Sequence, residues 1–173
     1  MALNRILVSL TALAAFAMPA AAQISSEGGP IYINSERTES LERERKVLLI
    51  GNVDIQQGDA RLRADTVTMI FAEKPAGTTQ STSVGGGFGQ VKTMIAEGNV
   101  FYITADMKAK GDRGVYDAAS DIITMTGNVA LLRERDVAEG AVLRVEIGNR
   151  RTTLDGGDGR TRMGIDPDNR SGN

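Results

Sequence analysis

Ile95-Ala96-Glu97-Gly98-Asn99-Val100-Phe101-Tyr102, then Gly111-Asp112-Arg113-Gly114-Val115-Tyr116-Asp117, then Ile122-Ile123-Thr124-Met125-Thr126-Gly127-Asn128-Val129 is the stretch that decides the architecture. Gly-Asn-Val occurs at both ends of it and once more at Gly51-Asn52-Val53. A second marker follows each of these glycines at one fixed offset, as Ala64-Asp65, Gly111-Asp112 and Gly140-Ala141. The step from Gly98 to Gly127 is kept again from Gly127 to Gly156, and upstream from Ser35-Glu36 to Ala64-Asp65. Copies held in phase over this distance are structural units that stack on one another. A half unit is expected upstream of the first full one.

Within each unit the apolar residues recur at every second position. Val47, Leu49, Gly51, Val53 and Ile55 share one face; Met94, Ala96, Gly98, Val100 and Tyr102 occupy the same offsets, as do Ile123, Met125, Gly127, Val129 and Leu131. Period two is the signature of a strand with one buried face. After the turn at Gln57-Gly58-Asp59 the alternation resumes at Leu62 and Ala64, then changes parity to Val67, Met69 and Phe71. The same change separates Ala109 and Gly111 from Gly114 and Tyr116, and Ala138 and Gly140 from Leu143, Val145 and Ile147. A slip repeated at one offset predicts a bulge or corner in every unit. Each unit is therefore an outgoing strand, a turn and a bent return strand. Stacked units give an all-β fold: an antiparallel sheet bent into two facing walls around an apolar interior. Strand pairs at the two ends keep unpaired backbone groups, which a protein must protect or use for strand addition.

The interval from Gly51 to Gly98 is longer than the step that recurs elsewhere, and the Gly/Ser/Thr-rich stretch over residues 73–90 matches the excess in length. Such a composition buries too little apolar surface to offset its ordering entropy, which predicts an inserted loop. No Lys-Ser pair or helical pattern follows its glycines, so a phosphate-cradling role is disfavoured.

Composition removes several classes of function. The 173-residue chain has no Cys, His or Trp, which excludes Cys/His metal sites, thiol or imidazole catalysis and a disulfide framework. Twenty basic against 22 acidic residues give a net charge of −2, no field for a nucleic acid. Arg5 is the one charged side chain before Glu27; it precedes an apolar run that ends at Pro19-Ala20-Ala21-Ala22. That pattern predicts a signal peptide over residues 1–22, cleaved after Ala22, because the run is shorter than the roughly 20 residues a membrane-spanning helix needs. An uncleaved anchor is the competing reading. The expectation is a periplasmic or secreted protein, with residues 23–165 as the β domain and a disordered tail at 166–173.

Pro30-Ile31-Tyr32-Ile33, the repeated Gly-Asn-Val with its polar turn and Ala-Asp, and Gly111-Asp112-Arg113-Gly114-Val115-Tyr116-Asp117 leading into the third Gly-Asn-Val carry a resemblance. Over roughly residues 30–164 the chain resembles the OstA-like family of periplasmic lipopolysaccharide-transport bridge proteins, the LptA family. It departs from the family pattern at Gly140-Ala141 and in the insertion. The resemblance implies an incomplete β-jellyroll, or β-taco, whose groove carries lipid A chains. It further implies head-to-tail copies, a membrane-anchored inner-membrane jellyroll partner at the N-terminal end and the jellyroll domain of an outer-membrane translocon at the C-terminal end. It also implies passive transport driven by an upstream ATP-powered machine, with no cofactor and no catalysis. Ile31 and Ile33 match family positions that contact lipid and the inner-membrane partner.

A chain of about 12 to 14 carbons is worth on the order of 10 kcal/mol withdrawn from water, so it needs a continuous apolar path. Leu49, Val53, Ile55, Met69, Phe71, Val100, Tyr102, Tyr116, Met125, Val129, Leu131 and Val145 would form one if they stack in rows around an open trough. The competing reading is that they close on one another as a sandwich core. Arg61 and Arg63 recur as Lys108 and Lys110 at the same offsets of the next unit, and are candidates for lipid phosphates or sugars at the groove mouth, or for a solvated charged face. Two other functions stay open. Asp65, Asp112, Asp117 and Asp121 are the carboxylates a glycoside-cleaving enzyme could use, although Asp at a repeated corner suits a turn. A self-assembling structural β protein would use the edges alone.

Overall fold

In the computed structural model, which describes residues 24–25, 29–73 and 89–165, the alternating segments are strands of a single antiparallel sheet. In chain order they are β1 (Ile31–Asn34), β2 (Arg37–Leu41), β3 (Lys46–Gln57), β4 (Ala60–Phe71), β5 (Val91–Ile103), β6 (Lys108–Asp117), β7 (Ile122–Arg133), β8 (Asp136–Glu146), β9 (Arg151–Asp155) and β10 (Arg162–Gly164). A single 3-10 turn at Glu42–Glu44 links β2 to β3. From β3 to β8 each strand pairs with the next, a plain meander. At one end β1 and β2 pair with the two halves of β3; at the other β9 and β10 pair with the two halves of β8. The expected half unit is the rung made by β1 and β2, split at Ser35-Glu36.

Every long strand bends at the repeated motif. Ile50 pairs with Thr66 and Val53 with Ala64, which leaves Gly51 and Asn52 facing Asp65 alone; the same two-against-one bulge sets Gly98-Asn99 opposite Asp112 and Gly127-Asn128 opposite Ala141. The glycines hold φ of 80°, 75° and 76° and the asparagines 44°, 47° and 47°. These left-handed values are open to Gly and tolerated by Asn, which is why this dipeptide recurs. An acid from the preceding rung packs over each glycine and accepts from the asparagine amide. Asn99 Nδ2 donates to Asp65 Oδ2 at 3.0 Å, Asn128 Nδ2 to Asp112 Oδ2 at 2.7 Å, and Asn52 Nδ2 to Glu36. At the last corner Ala141 replaces the acid and Gly157, φ 62°, lies against it without that bond. The departure at Gly140-Ala141 thus removes both partners of one latch.

The bends divide the sheet into two facing walls. One contains β2, β9 and the halves at 46–50, 66–71, 91–97, 113–117, 122–126 and 142–146; the other contains β1, β10 and the remaining halves. Corners form the crease, and the hairpin turns line the opposite edge, the mouth. Parity changes across the return-strand corners as expected: Leu62 and Ala64 are buried, then Val67 and Met69. Ala72 N–H donates to the Gln90 carbonyl at 2.8 Å, so the insertion leaves and re-enters the sheet at one point. Residues 74–88 of that insertion, the 1–22 leader and the 166–173 tail lie outside the described residues.

Candidate functional site

The interior between the walls gathers nearly all the residues expected to share a face. Leu49, Val53, Ile55, Met69, Val100, Tyr102, Tyr116, Met125, Val129 and Val145 are buried in one apolar cluster, and Ile31, Phe71 and Leu131 pack against it half-buried. Leu143, on the same face of β8, is also fully buried. At the two sheet ends this face comes to the surface, with Ile33 41% exposed on β1, Met163 68% on β10 and Ile165 62% just beyond.

The expected open trough is corrected. Val53, Ile55, Val100, Met125 and Leu143 leave almost no accessible surface, so the interior is filled by its own side chains. Two apolar walls hinged along a crease bury surface by meeting, which is the stable arrangement when nothing lies between them. Four methionines, Met69, Met94, Met107 and Met125, belong to this filling. Their unbranched, polarisable side chains repack around a changed neighbour more readily than branched ones.

Thr152 carries polar contacts across the mouth. Arg133 donates to Thr152 Oγ1 at 3.4 Å, and Thr152 Oγ1 donates to Met107 Sδ at 3.9 Å. Beside them lies a cavity of about 100 Å³ whose lining includes Asp59, Tyr102, Met107, Arg133, Ile147 and Arg150. Next to it the chain before β1 crosses inward. Ile24 is 1% exposed and belongs to the apolar cluster. Its N–H donates to Gln57 Oε1 at 2.6 Å, and its carbonyl accepts from the Tyr102 hydroxyl at 2.8 Å. Ser25 donates to Asp59 at 2.8 Å, and Gln57 Nε2 donates to the Gly29 carbonyl at 3.1 Å. Burial, and then the charges of Asp59 and Asp121, push the Tyr102 hydroxyl far above its usual range, so it remains a donor.

The basic residues are displaced from the expected position. Arg61 and Arg63 alternate with buried Leu62 and Ala64, and Lys108 and Lys110 with buried Ala109 and Gly111, so all four project from the outer face of their wall and not into the interior. Arg61 Nε donates to Asp54 Oδ1 at 2.7 Å and its Nη2 to Oδ2; this pairing holds the Asp54 carboxyl below its ordinary range. Lys110 lies 5.9 Å from the Phe101 ring centre, a cation–π contact across β5 and β6. The basic side chains lining the cavity at the mouth are Arg133 and Arg150. Each carboxylate considered for catalysis has a structural partner. Asp65 and Asp112 latch corners, Asp117 accepts from the Ser120 N–H and hydroxyl, and Asp121 accepts from the Tyr116 hydroxyl.

A bent, open sheet with an apolar inner face is shared with a known family. Residues 32–151 match the model of the LptA/(LptD N-terminal domain) LPS transport proteins. The chain belongs to this family. It is 28% identical over 170 residues to an uncharacterised protein of Rhizobium meliloti (strain 1021), covering 95% of this chain and 88% of that one. It is 27% identical over 129 residues to the LPS-assembly protein LptD of Yersinia enterocolitica, a match spanning 74% of this chain and 15% of that protein. The fold matches the crystal structure of LptH, the LptA-homologous periplasmic component of the lipopolysaccharide transport device of Pseudomonas aeruginosa. There the TM-score is 0.66 at 17% identity, over 84% of this chain and all of that one. The architecture is thus the family's incomplete β-jellyroll.

Sequence reasoning about this family member missed Ile24, Gln57, Met107 and Thr152. Ile24 was hidden in the stretch that reads as an export leader and its processing site. Gln57 is polar at a position whose parity puts it inside, next after Val53 and Ile55, and that was a usable signal.

Proposed function

We propose that the chain is a periplasmic carrier that shields the acyl chains of lipid A between its walls and passes lipopolysaccharide from the inner to the outer membrane. One observation supports this above others: the inner face of every rung, from β1 to β10, contributes to one apolar strip that ends in exposed Ile33 at one end and Met163 and Ile165 at the other. Apolar side chains exposed at both ends offer a surface on which the strip can continue into another copy. Head-to-tail copies would add strands at the β1/β2 and β9/β10 edges, joining the interiors of successive molecules. In this reading the N-terminal end meets a membrane-anchored inner-membrane jellyroll and the C-terminal end the outer-membrane translocon.

Loading requires the walls to part at the mouth, where Thr152 makes polar contacts with Arg133 and Met107. Acyl chains then replace the side-chain contacts that the walls make with each other, and the methionines adjust around them. No cofactor and no catalytic group are called for. A photocrosslinker at Val100, compared with one at outward Asn99, tests the path. Crosslinks to lipopolysaccharide at Val100 alone are expected. Equal or absent crosslinking at Val100 in protein that self-assembles normally would instead favour a purely structural β protein.

A further inference from the structure

Gln57 and Tyr102 are each 2% exposed, and both direct polar groups at Ile24. Among the described residues, no buried side-chain polar atom lacks a partner. This balance depends on a short piece of chain that belongs to no strand. Without Ile24, Tyr102 would lose its hydroxyl acceptor and Gln57 the donor to its Oε1, at a place where unsatisfied groups are costly. The pair therefore reads an N–H and a C=O that flank an aliphatic group. The cavity of about 100 Å³ adjoins it, sharing Tyr102 and Asp59 with the strap's holding points.

An acyl chain joined through an amide offers the same set: an N–H donor, a carbonyl acceptor and a hydrocarbon. We propose that Ile24-Ser25 is a displaceable plug standing in for an amide-linked acyl chain, and that Gln57 and Tyr102 form the polar hold for that amide. The proposal rests on the carrier reading above and adds to it a specific docking point and a gate. In the empty protein the plug satisfies the hold and closes this part of the mouth. Cargo takes over both hydrogen bonds and expels Ile24 from the apolar cluster. The amide N–H is read by Gln57 Oε1, which an ester cannot satisfy, while the carbonyl read by Tyr102 is common to both.

The test measures binding of N-lauroylglucosamine and of 2-O-lauroylglucose, the ester counterpart without an amine, by calorimetry, on the full processed chain and on Ile24→Gly, Gln57→Met and Tyr102→Phe. Wild type should prefer the amide. Ile24→Gly should bind both probes about ten-fold more tightly, because a competing aliphatic group is gone. Gln57→Met should lose the preference for the amide, and Tyr102→Phe should weaken both probes about five-fold while retaining it. Thermal melts identify any variant that fails to fold, and either hold residue suffices alone. Equal affinity of wild type for amide and ester, or unchanged affinity in Ile24→Gly, overturns the plug and hold while leaving the carrier reading standing. No binding of either probe to wild type and to Ile24→Gly overturns both.

Discussion

A single carboxylate–amide bond recurs at three of the corners where the strands bend. Gly127 combines φ of 76° with a site where an added Cβ would fall 2.6 Å from Asp112 Oδ2. Gly127→Ala should therefore cost about 1–3 kcal/mol in denaturant unfolding. Asn128→Ala removes one exposed hydrogen bond and should cost no more than about 1 kcal/mol. A double-mutant cycle of Asp112→Ala with Asn128→Ala should give a positive coupling; zero coupling would remove the latch from the explanation of the bend. Val100→Asp or Val129→Asp places a charge in the strip, and variants that fold yet still deliver lipid would show that the path lies elsewhere. Much of this scale was legible, because the recurring Gly-Asn and Asp are local chemistry. The amide–acid pairing between rungs was not, since it joins residues 16 or 34 positions apart in sequence.

Strands and their pairing followed from alternation and repeat length, down to the half rung at β1 and β2. The outer placement of Arg61, Arg63, Lys108 and Lys110 was also available from parity, since each sits beside a buried neighbour. Closure of the interior was not. Alternation marks a buried face but does not say whether the opposite wall or a guest buries it. Two elements carry predictable pH responses. Arg61 holds Asp54 low, so the stability this pair adds to the β3–β4 hairpin is present above the ordinary carboxylate pKa of about 4 and is lost as pH falls through the depressed value. Arg61→Met should flatten that acid limb in a melting profile. Tyr102 on β5 is shifted upward, so its contribution is whole below about pH 10 and declines as pH rises from there. Tyr102→Phe should remove this alkaline loss.

At the scale of the molecule, the proposed carrier would join its copies, and pass its cargo, at the two sheet ends. Met163→Asp combined with Ile165→Asp should leave the fold within about 0.5 kcal/mol, because both side chains are exposed. The same change should abolish end-to-end association in sedimentation velocity and block lipid passage between copies. An assembly unaffected by these charges would place the contact elsewhere. The meander has a further consequence. Since the long strands pair in chain order, span is set by how many hairpins are threaded together, at roughly 10 Å per hairpin. Duplicating or deleting one whole repeat, such as the step from Gly98 to Gly127, would change reach without rewiring topology, making this chain a molecular ruler with interchangeable divisions.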